Sequence, residues 1–198
     1  MTSLVLASGS AVRAGLLTAA GVAFDIVPAR VDEDAVKEAL LAQNTPLRAI
    51  ADALAELKAL RVSQARPGTL VLGADQVLVF EKELVSKSLT MSEARALLSR
   101  LRGRKHELVG AVVLAKDGVA IWRQLDSATL TMRDFSDAFL DDYLAREGEN
   151  LLGSVGCYHL EGRGAQLFAH IAGDYFSSLG LPLIQVLGAL RDHGVLAS

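Results

Sequence analysis

Cysteine is nearly absent from this chain. Cys157 stands alone among 198 residues, which excludes an internal disulfide and any thiolate metal cluster. Its plainest role is that of a small buried hydrophobe, since no partner histidine marks it as a nucleophile. Basic runs are absent too, and the net charge is −3, so the charge balance does not favour nucleic acid as a partner. Any polyanion held here has to be small and gripped locally. No apolar run approaches the roughly 20 residues that cross a bilayer, so no membrane association is expected. The opening MTSLVLASGS lacks the basic stretch and apolar length of a secretory signal, and a soluble, cytoplasmic protein is the expectation. Neither common nucleotide loop occurs: there is no G-x-x-x-x-G-K-[ST] and no G-x-G-x-x-G. His106, His159, His170 and His193 lack metal-ligand spacing and read as surface or internally satisfied side chains. With 51% hydrophobic and 22% charged residues, disorder is excluded. The length suits one domain over residues 1–198, with room for two lobes.

What is present concentrates near the start. Leu4, Val5 and Leu6 form an apolar run suited to a buried strand, followed by Ala7-Ser8-Gly9-Ser10-Ala11 and a helical pattern carrying Val12, Leu16, Ala19 and Ala20 on one face. A strand, a turn of small residues and a helix start leave backbone N–H groups free for an anion. Arg13 falls in the first helical turn, where a long side chain leans back toward that anion, with Ser8 and Ser10 as neutral donors. The plainer account makes Ser10 a helix cap and leaves Arg13 solvated.

Further along, Phe24 to Val31 reads as a strand broken by Pro28, leading to the acidic patch Asp32-Glu33-Asp34 and a helix over 35–42. After Asn44-Thr45-Pro46 a longer helix places Leu47, Ile50, Ala51, Leu54 and Leu57 on one face, with Lys58 at its border. A snorkelling lysine is the simple explanation there. Leu70 to Phe80 is the most apolar strand, yet it carries Asp75 at its middle. A carboxylate in that setting needs a cation, a metal or a water-filled cleft beside it, unless the strand breaks into a turn. Glu81 to Lys87 reads as a turn and short strand ending at another candidate cation, Lys87. Thr90 and Glu93 form a T-x-x-E capping box, and Gly103 ends that helix. Three extended segments, 107–114, 119–125 and 128–132, follow, the first two joined by Lys116-Asp117-Gly118. A helix over 136–146, a strand over 167–171 and a helix over 182–190 complete an α/β pattern.

Ser8, Ser10, Arg13, Lys58 and Lys87 with the carboxylates at 32–34 and 75 form the inventory a nucleoside triphosphate pyrophosphatase needs: cations for phosphates, acids for a divalent metal and for activating water. In order along the chain come L-A-S-G-S-x-x-R-x-x-L-L (6–17), V-D-E (31–33), Lys58, G-A-D (73–75), Lys87 and L-x-G-x-x-H (101–106). G-C-Y-x-x-E-G (156–162), I-x-G-D-Y (171–175) and G-L-P-L (180–183) follow. This set resembles the Maf family, the septum-formation-inhibitor-like nucleotide pyrophosphatases. The resemblance implies a mixed β-sheet with flanking helices and two lobes around a central cleft, a homodimer, and hydrolysis of non-standard or surplus nucleoside triphosphates to the monophosphate and pyrophosphate as a house-cleaning activity. Mg²⁺, or Mn²⁺ or Co²⁺ in its place, is the implied cofactor. Asp75 is implied as catalytic base and metal ligand, Glu33 as a second metal contact, and Ser8, Arg13, Lys58 and Lys87 as phosphate contacts. The chain departs from the family where Val12 replaces a second loop arginine and Ser88 replaces a proline. Gln76 and Glu161 stand where the pyrimidine-preferring branch carries Thr and Gln, which resembles the branch acting on methylated guanine nucleotides such as 7-methyl-GTP. A carboxylate accepts from the N–H donors of guanine and repels the carbonyls of uracil and thymine; alternatively Glu161 pairs with Arg163 or Lys87. A rival reading of the same resemblance is a nucleotide-binding regulator of cell division that needs no turnover.

Overall fold

The computed structural model describes residues 3–197. Its strands are β1 (Leu4–Leu6), β2 (Asp25–Ile26), β3 (Leu70–Phe80), β4 (Glu83–Val85), β5 (Lys105–Lys116), β6 (Val119–Met132) and β7 (Phe168–Ala172). Its helices are α1 (Ala11–Ala19), α2 (Glu33–Ala42), α3 (Leu47–Gln64), α4 (Met91–Leu101), α5 (Asp137–Glu147), α6 (Tyr175–Ser178) and α7 (Leu183–Asp192). The strands form one mixed sheet in the order β2-β1-β3-β5-β6-β7, with β4 hydrogen-bonded to β3. β1 runs parallel to both β2 and β3, while β4 and β7 are antiparallel to β3 and β6. The expected α/β class with flanking helices is thus the observed one.

Contacts group the chain into two compact units. The first takes the residues up to Gln76, Val109–Asp126 and the chain from Asp174 onward; the second takes Val77–Leu108 and Ser127–Gly173. In the first unit β3 alternates as a buried strand must. Leu70, Leu72 and Ala74 join Leu4, Leu6, Leu17 and the α7 residues Leu183, Val186 and Leu190 in one core. Val71 joins Val5, Ala7 and Val62 of α3 in a second cluster. Gly73, on the same strand face as Val71 and Asp75, lets α3 come close: a Cβ there would lie 2.3 Å from the Ala55 carbonyl oxygen and 2.6 Å from the Ala59 nitrogen. The turn linking β5 to β6 has Asp117 at φ 51° and Gly118 at φ 76°, the two positive dihedrals a two-residue hairpin requires.

In the second unit the expected capping box at α4 is present, with a shift of one residue. Thr90 accepts from the Glu93 N–H, and Glu93 accepts from the N–H of Leu89 rather than from that of Thr90. His106, Tyr158 and Phe168 form an aromatic cluster, with Tyr158 edge-on to Phe168.

Several expectations are corrected. The separate segments over 119–125 and 128–132 are one strand, β6, because Asp126-Ser127 continues the extended backbone without a break. The strand over 24–31 shrinks to Asp25–Ile26, since Pro28 has no N–H for a ladder and Arg30 adopts φ 48°. On α1 the fully buried residue is Leu17, with Ala14, Leu16 and Ala20 packed beside the core, so the inward face is rotated from the one expected. On α3, Leu57 is exposed, and the inward stripe runs through Ile50, Ala51, Leu54, Ala55, Lys58, Ala59 and Val62. Lys58 therefore lies inside the buried stripe and not on its border.

Candidate functional site

Strand β3 supplies the backbone of the site. Asp75 is 4% exposed and Lys58 8%, two of the few charged side chains in the interior. The Lys58 ammonium donates to Asp75 Oδ1 at 2.5 Å and lies 2.7 Å from Glu33 Oε1. Gly73 makes this possible. By admitting the α3 backbone at Ala55 and Ala59, it brings the residue one turn along, Lys58, over the carboxylate two positions further on the strand. The expectation that Asp75 needs a cation is met by a buried ammonium, and the snorkelling account of Lys58 is replaced. An ammonium has three donors, and two are used on the carboxylates.

The acidic patch divides its work. Asp32 caps α2 by accepting from the Ala35 N–H at 3.1 Å, Asp34 is paired with Lys37 at the surface, and Glu33 reaches Lys58. Asp75 Oδ2 is buried without a hydrogen-bond partner among the described residues. A buried carboxylate oxygen left without a partner is costly unless a ligand meets it. Among the described residues no group of three His, Cys, Asp or Glu converges as a metal site.

On the preceding residue of the strand, the Ala74 carbonyl oxygen accepts from Arg13 Nη1 at 3.0 Å. Arg13 leans toward the start of its helix, as its position predicts, and the same nitrogen donates to Ser8 Oγ at 3.1 Å. Its Nε donates to the Gly180 carbonyl at 2.8 Å. The guanidinium is thus tied at three points, with Nη2 outside these bonds. Desolvation lowers its pKa from the ordinary value, against the opposing attraction of Asp75 and then Glu33. Arginine remains charged through such a shift.

Ser8 is buried, and its oxygen accepts from both Ser10 N–H and Arg13, which leaves its own proton to donate outward. Ser10 caps α1 by accepting from the Arg13 N–H, so its assignment as a helix cap holds while that of Arg13 as solvated does not. The N–H groups of Ala11 and Val12 have no acceptor inside the helix they open. Gln76 donates from Nε2 to the Ser177 carbonyl at 3.0 Å.

Ser8, Arg13, Glu33, Lys58, Asp75 and Gln76 all belong to the first unit, where direct bonds group them as Ser8–Arg13 and Glu33–Lys58–Asp75, joined through Ala74. Lys87 and Glu161 belong to the second and are exposed. Lys87 lines a depression of about 310 Å³ with Ser88, Glu93 and Arg100. Glu161 forms no ion pair with Arg163 or Lys87 among the described residues.

Cys157 is fully buried with its thiol on Ser88 Oγ at 3.3 Å, and burial raises its pKa, as suits the structural role expected of it. Of the two readings of the histidines, surface or internal, His106 takes the internal one. It is 3% exposed, its Nε2 is 2.7 Å from the Tyr158 hydroxyl, its Nδ1 has no partner, and burial lowers its pKa to about 4. The G-C-Y run lies 52 positions from His106 at Tyr158, and no period along the chain links the two.

Residues 3–193 match the family described as Maf-like protein. A protein of Caulobacter vibrioides named nucleoside triphosphate pyrophosphatase is 55% identical over 196 residues, covering 99% of this chain and 98% of the relative. Proteins of the same name from Granulibacter bethesdensis and Paramagnetospirillum magneticum are 50% and 47% identical. They cover 98% and 97% of this chain and 98% and 99% of their own lengths.

Proposed function

The chain belongs to the Maf-like protein family, and from that premise we propose that it is a nucleoside triphosphate pyrophosphatase, a hydrolase of the α–β phosphoanhydride. The observation that carries this reading is Asp75: a carboxylate in a buried strand, with one oxygen on Lys58 and the other without a partner.

The residues fit a hard divalent cation such as Mg²⁺. Two carboxylates, Asp75 and Glu33, meet at one ammonium, the donors are oxygens only, and one of those oxygens is buried and unpartnered. One or two protein carboxylates together with substrate phosphates suffice to hold Mg²⁺. Asp75 and Glu33 would hold the cation, which would supply charge neutralisation on the phosphates.

This chain's own groups account for the rest. Oxygen of a water molecule bonds to the α-phosphorus, the bond from that phosphorus to the bridging oxygen breaks so that pyrophosphate leaves with this oxygen, and Asp75 accepts the water's proton. The third Lys58 donor, the Ser8 hydroxyl, the Ala11 and Val12 N–H groups and Arg13 Nη2 take the phosphate oxygens and the charge that develops on them. A phosphate contact from Lys87 rests on the family resemblance alone. Val12 removes a second guanidinium from this loop, which puts the anion's charge on Arg13 and Lys58. A base-reading role for Glu161 rests on the family resemblance, and its carboxylate would favour the N–H edge of guanine and the added positive charge of a 7-methylated ring.

Purified protein is incubated with a panel of nucleoside triphosphates and Mg²⁺, and monophosphate and pyrophosphate are measured together. Equimolar release supports the reading. Binding without metal-dependent release overturns it in favour of a nucleotide-binding regulator of cell division.

A further inference from the structure

Gln76 does not stand free beside Asp75. Its amide nitrogen is committed to the Ser177 carbonyl at 3.0 Å, and that same oxygen accepts the Gly180 N–H at 2.9 Å. Gly180 in turn presents its own carbonyl to Arg13 Nε at 2.8 Å. The turn is tight on both sides: a Cβ on Gly180 would lie 3.3 Å from Arg13 Nε and Nη2 and 3.6 Å from Gln76 Oε1, and the residue sits at φ +89°. Glycine is needed there because a side chain would meet the guanidinium and a positive φ at once.

The far end of the turn is fastened as well. Ser177 N–H donates to Asp174 Oδ2 at 2.7 Å, its hydroxyl lies 2.5 Å from Asp126 Oδ2, and Ser178 Oγ donates to the Asp174 carbonyl at 2.9 Å. Ser177 and Ser178 are both buried. A continuous chain of hydrogen bonds therefore runs from Asp126 and Asp174 through Ser177, Gly180 and Arg13 to Ser8, and Gln76 holds its middle.

We infer that Gln76 is a positioning residue for Arg13. Through Ser177 and Gly180 it sets the direction of the guanidinium that grips the substrate's phosphates. The inference rests on the phosphate role proposed above for Arg13, and it separates Gln76 from the base-reading role its place beside Asp75 suggested. A long arginine side chain has several rotamers, and one carbonyl at fixed height and direction selects among them. With Val12 in place of a second loop arginine, no neighbouring guanidinium replaces a misdirected Arg13.

Inorganic tripolyphosphate distinguishes the two roles, because it carries the phosphates and no base. Its Kd is measured by calorimetry on the whole protein with Mg²⁺, for wild type, Gln76→Ala, Arg13→Ala and the double variant. Gln76→Ala is expected to weaken tripolyphosphate about fivefold, the equivalent of one neutral hydrogen bond. The double variant is expected to bind no more weakly than Arg13→Ala alone, since a residue acting through Arg13 has nothing left to position. Nucleoside triphosphates with different bases should lose kcat/KM by a common factor. An unchanged tripolyphosphate Kd in Gln76→Ala, a selective loss for one base, or an additive double variant would each overturn the inference and leave the phosphate role of Arg13 standing. If Arg13→Ala itself binds tripolyphosphate as wild type does, the phosphate role falls, and this inference with it. Should Gln76→Ala lose its native circular dichroism, Gln76→Met carries the same comparison. It keeps the length of the side chain and removes the N–H that donates to the Ser177 carbonyl.

Discussion

Gly73→Ala tests the geometry of the site at its narrowest point. The added methyl would sit 2.3 Å from the Ala55 carbonyl oxygen, 2.6 Å from the Ala59 nitrogen and 2.7 Å from the Ala59 methyl. Two of these neighbours are helix backbone, which cannot step aside as a flexible side chain would. Ordinary contact begins near ~3.5 Å, so β3 and α3 have to separate locally by about 1 Å. Overpacking of this kind costs about 1–3 kcal/mol. In a chain of this length, a cost near the middle of that range lowers Tm by about 4–8 °C. The effect on activity should be larger than the effect on stability. Lys58 lies between Ala55 and Ala59 in the stripe that is pushed back, and its 2.5 Å bond to Asp75 lengthens with the displacement. A shift of about 1 Å in such a group costs roughly a hundredfold in rate. Thermal unfolding and pyrophosphate release would be measured together, with Gly15→Ala as control. Gly15 is a helical position where an added Cβ meets nothing within 4 Å. That control should keep its activity and gain up to about 1 kcal/mol from helix propensity. Wild-type Tm and rate in Gly73→Ala would refute the claim that close strand–helix approach sets the Lys58–Asp75 pair.

Asp75→Asn should retain the fold and lose at least about a hundredfold in kcat, because an amide neither takes a proton from water nor binds a hard cation well; near wild-type turnover in the pyrophosphate assay would remove Asp75 from the chemistry. In wild type, 7-methyl-GTP or another guanine nucleotide should exceed dTTP and UTP in kcat/KM, and Glu161→Gln should narrow that gap. Equal or better turnover of dTTP and UTP would sink the base assignment and leave the hydrolase reading intact. For His106, burial depresses the pKa to about 4, so the unfolded chain binds a proton that the folded one refuses. Its contribution is present above the unfolded value of about 6.5, is lost as pH falls toward 4, and amounts at most to something on the order of 3 kcal/mol. Chemical denaturation between pH 7 and 4 should show a steeper loss of stability in wild type than in His106→Phe, and parallel curves would contradict the neutral buried imidazole.

Local chemistry settled what lies close along the chain. Ser10, Thr90 and Ser136 cap their helices, as small hydroxyl residues before apolar-periodic runs do. Asp117-Gly118 makes the hairpin turn because both residues tolerate positive φ. The apolar run at 70–80 is a strand with Asp75 inside it, and a carboxylate so placed announced a partner before any partner was known. Which partner it takes was decided only by folding. Leu57 and Lys58 are adjacent on one helix, and hydrophobicity alone puts the leucine inward. The close approach of α3 over Gly73 turns the helix so that Lys58 goes in and Leu57 stays at the surface, because only that rotation sets an ammonium on the buried carboxylates. Glu33 and Asp75 are 42 positions apart and share no period, so their meeting at one cation is a property of the packed unit. The same holds for Arg13, whose direction depends on a carbonyl 167 positions away at Gly180. Spacing along the chain records which groups are available. The distances at which they act come from backbone packing that brings remote segments to within a hydrogen bond of each other.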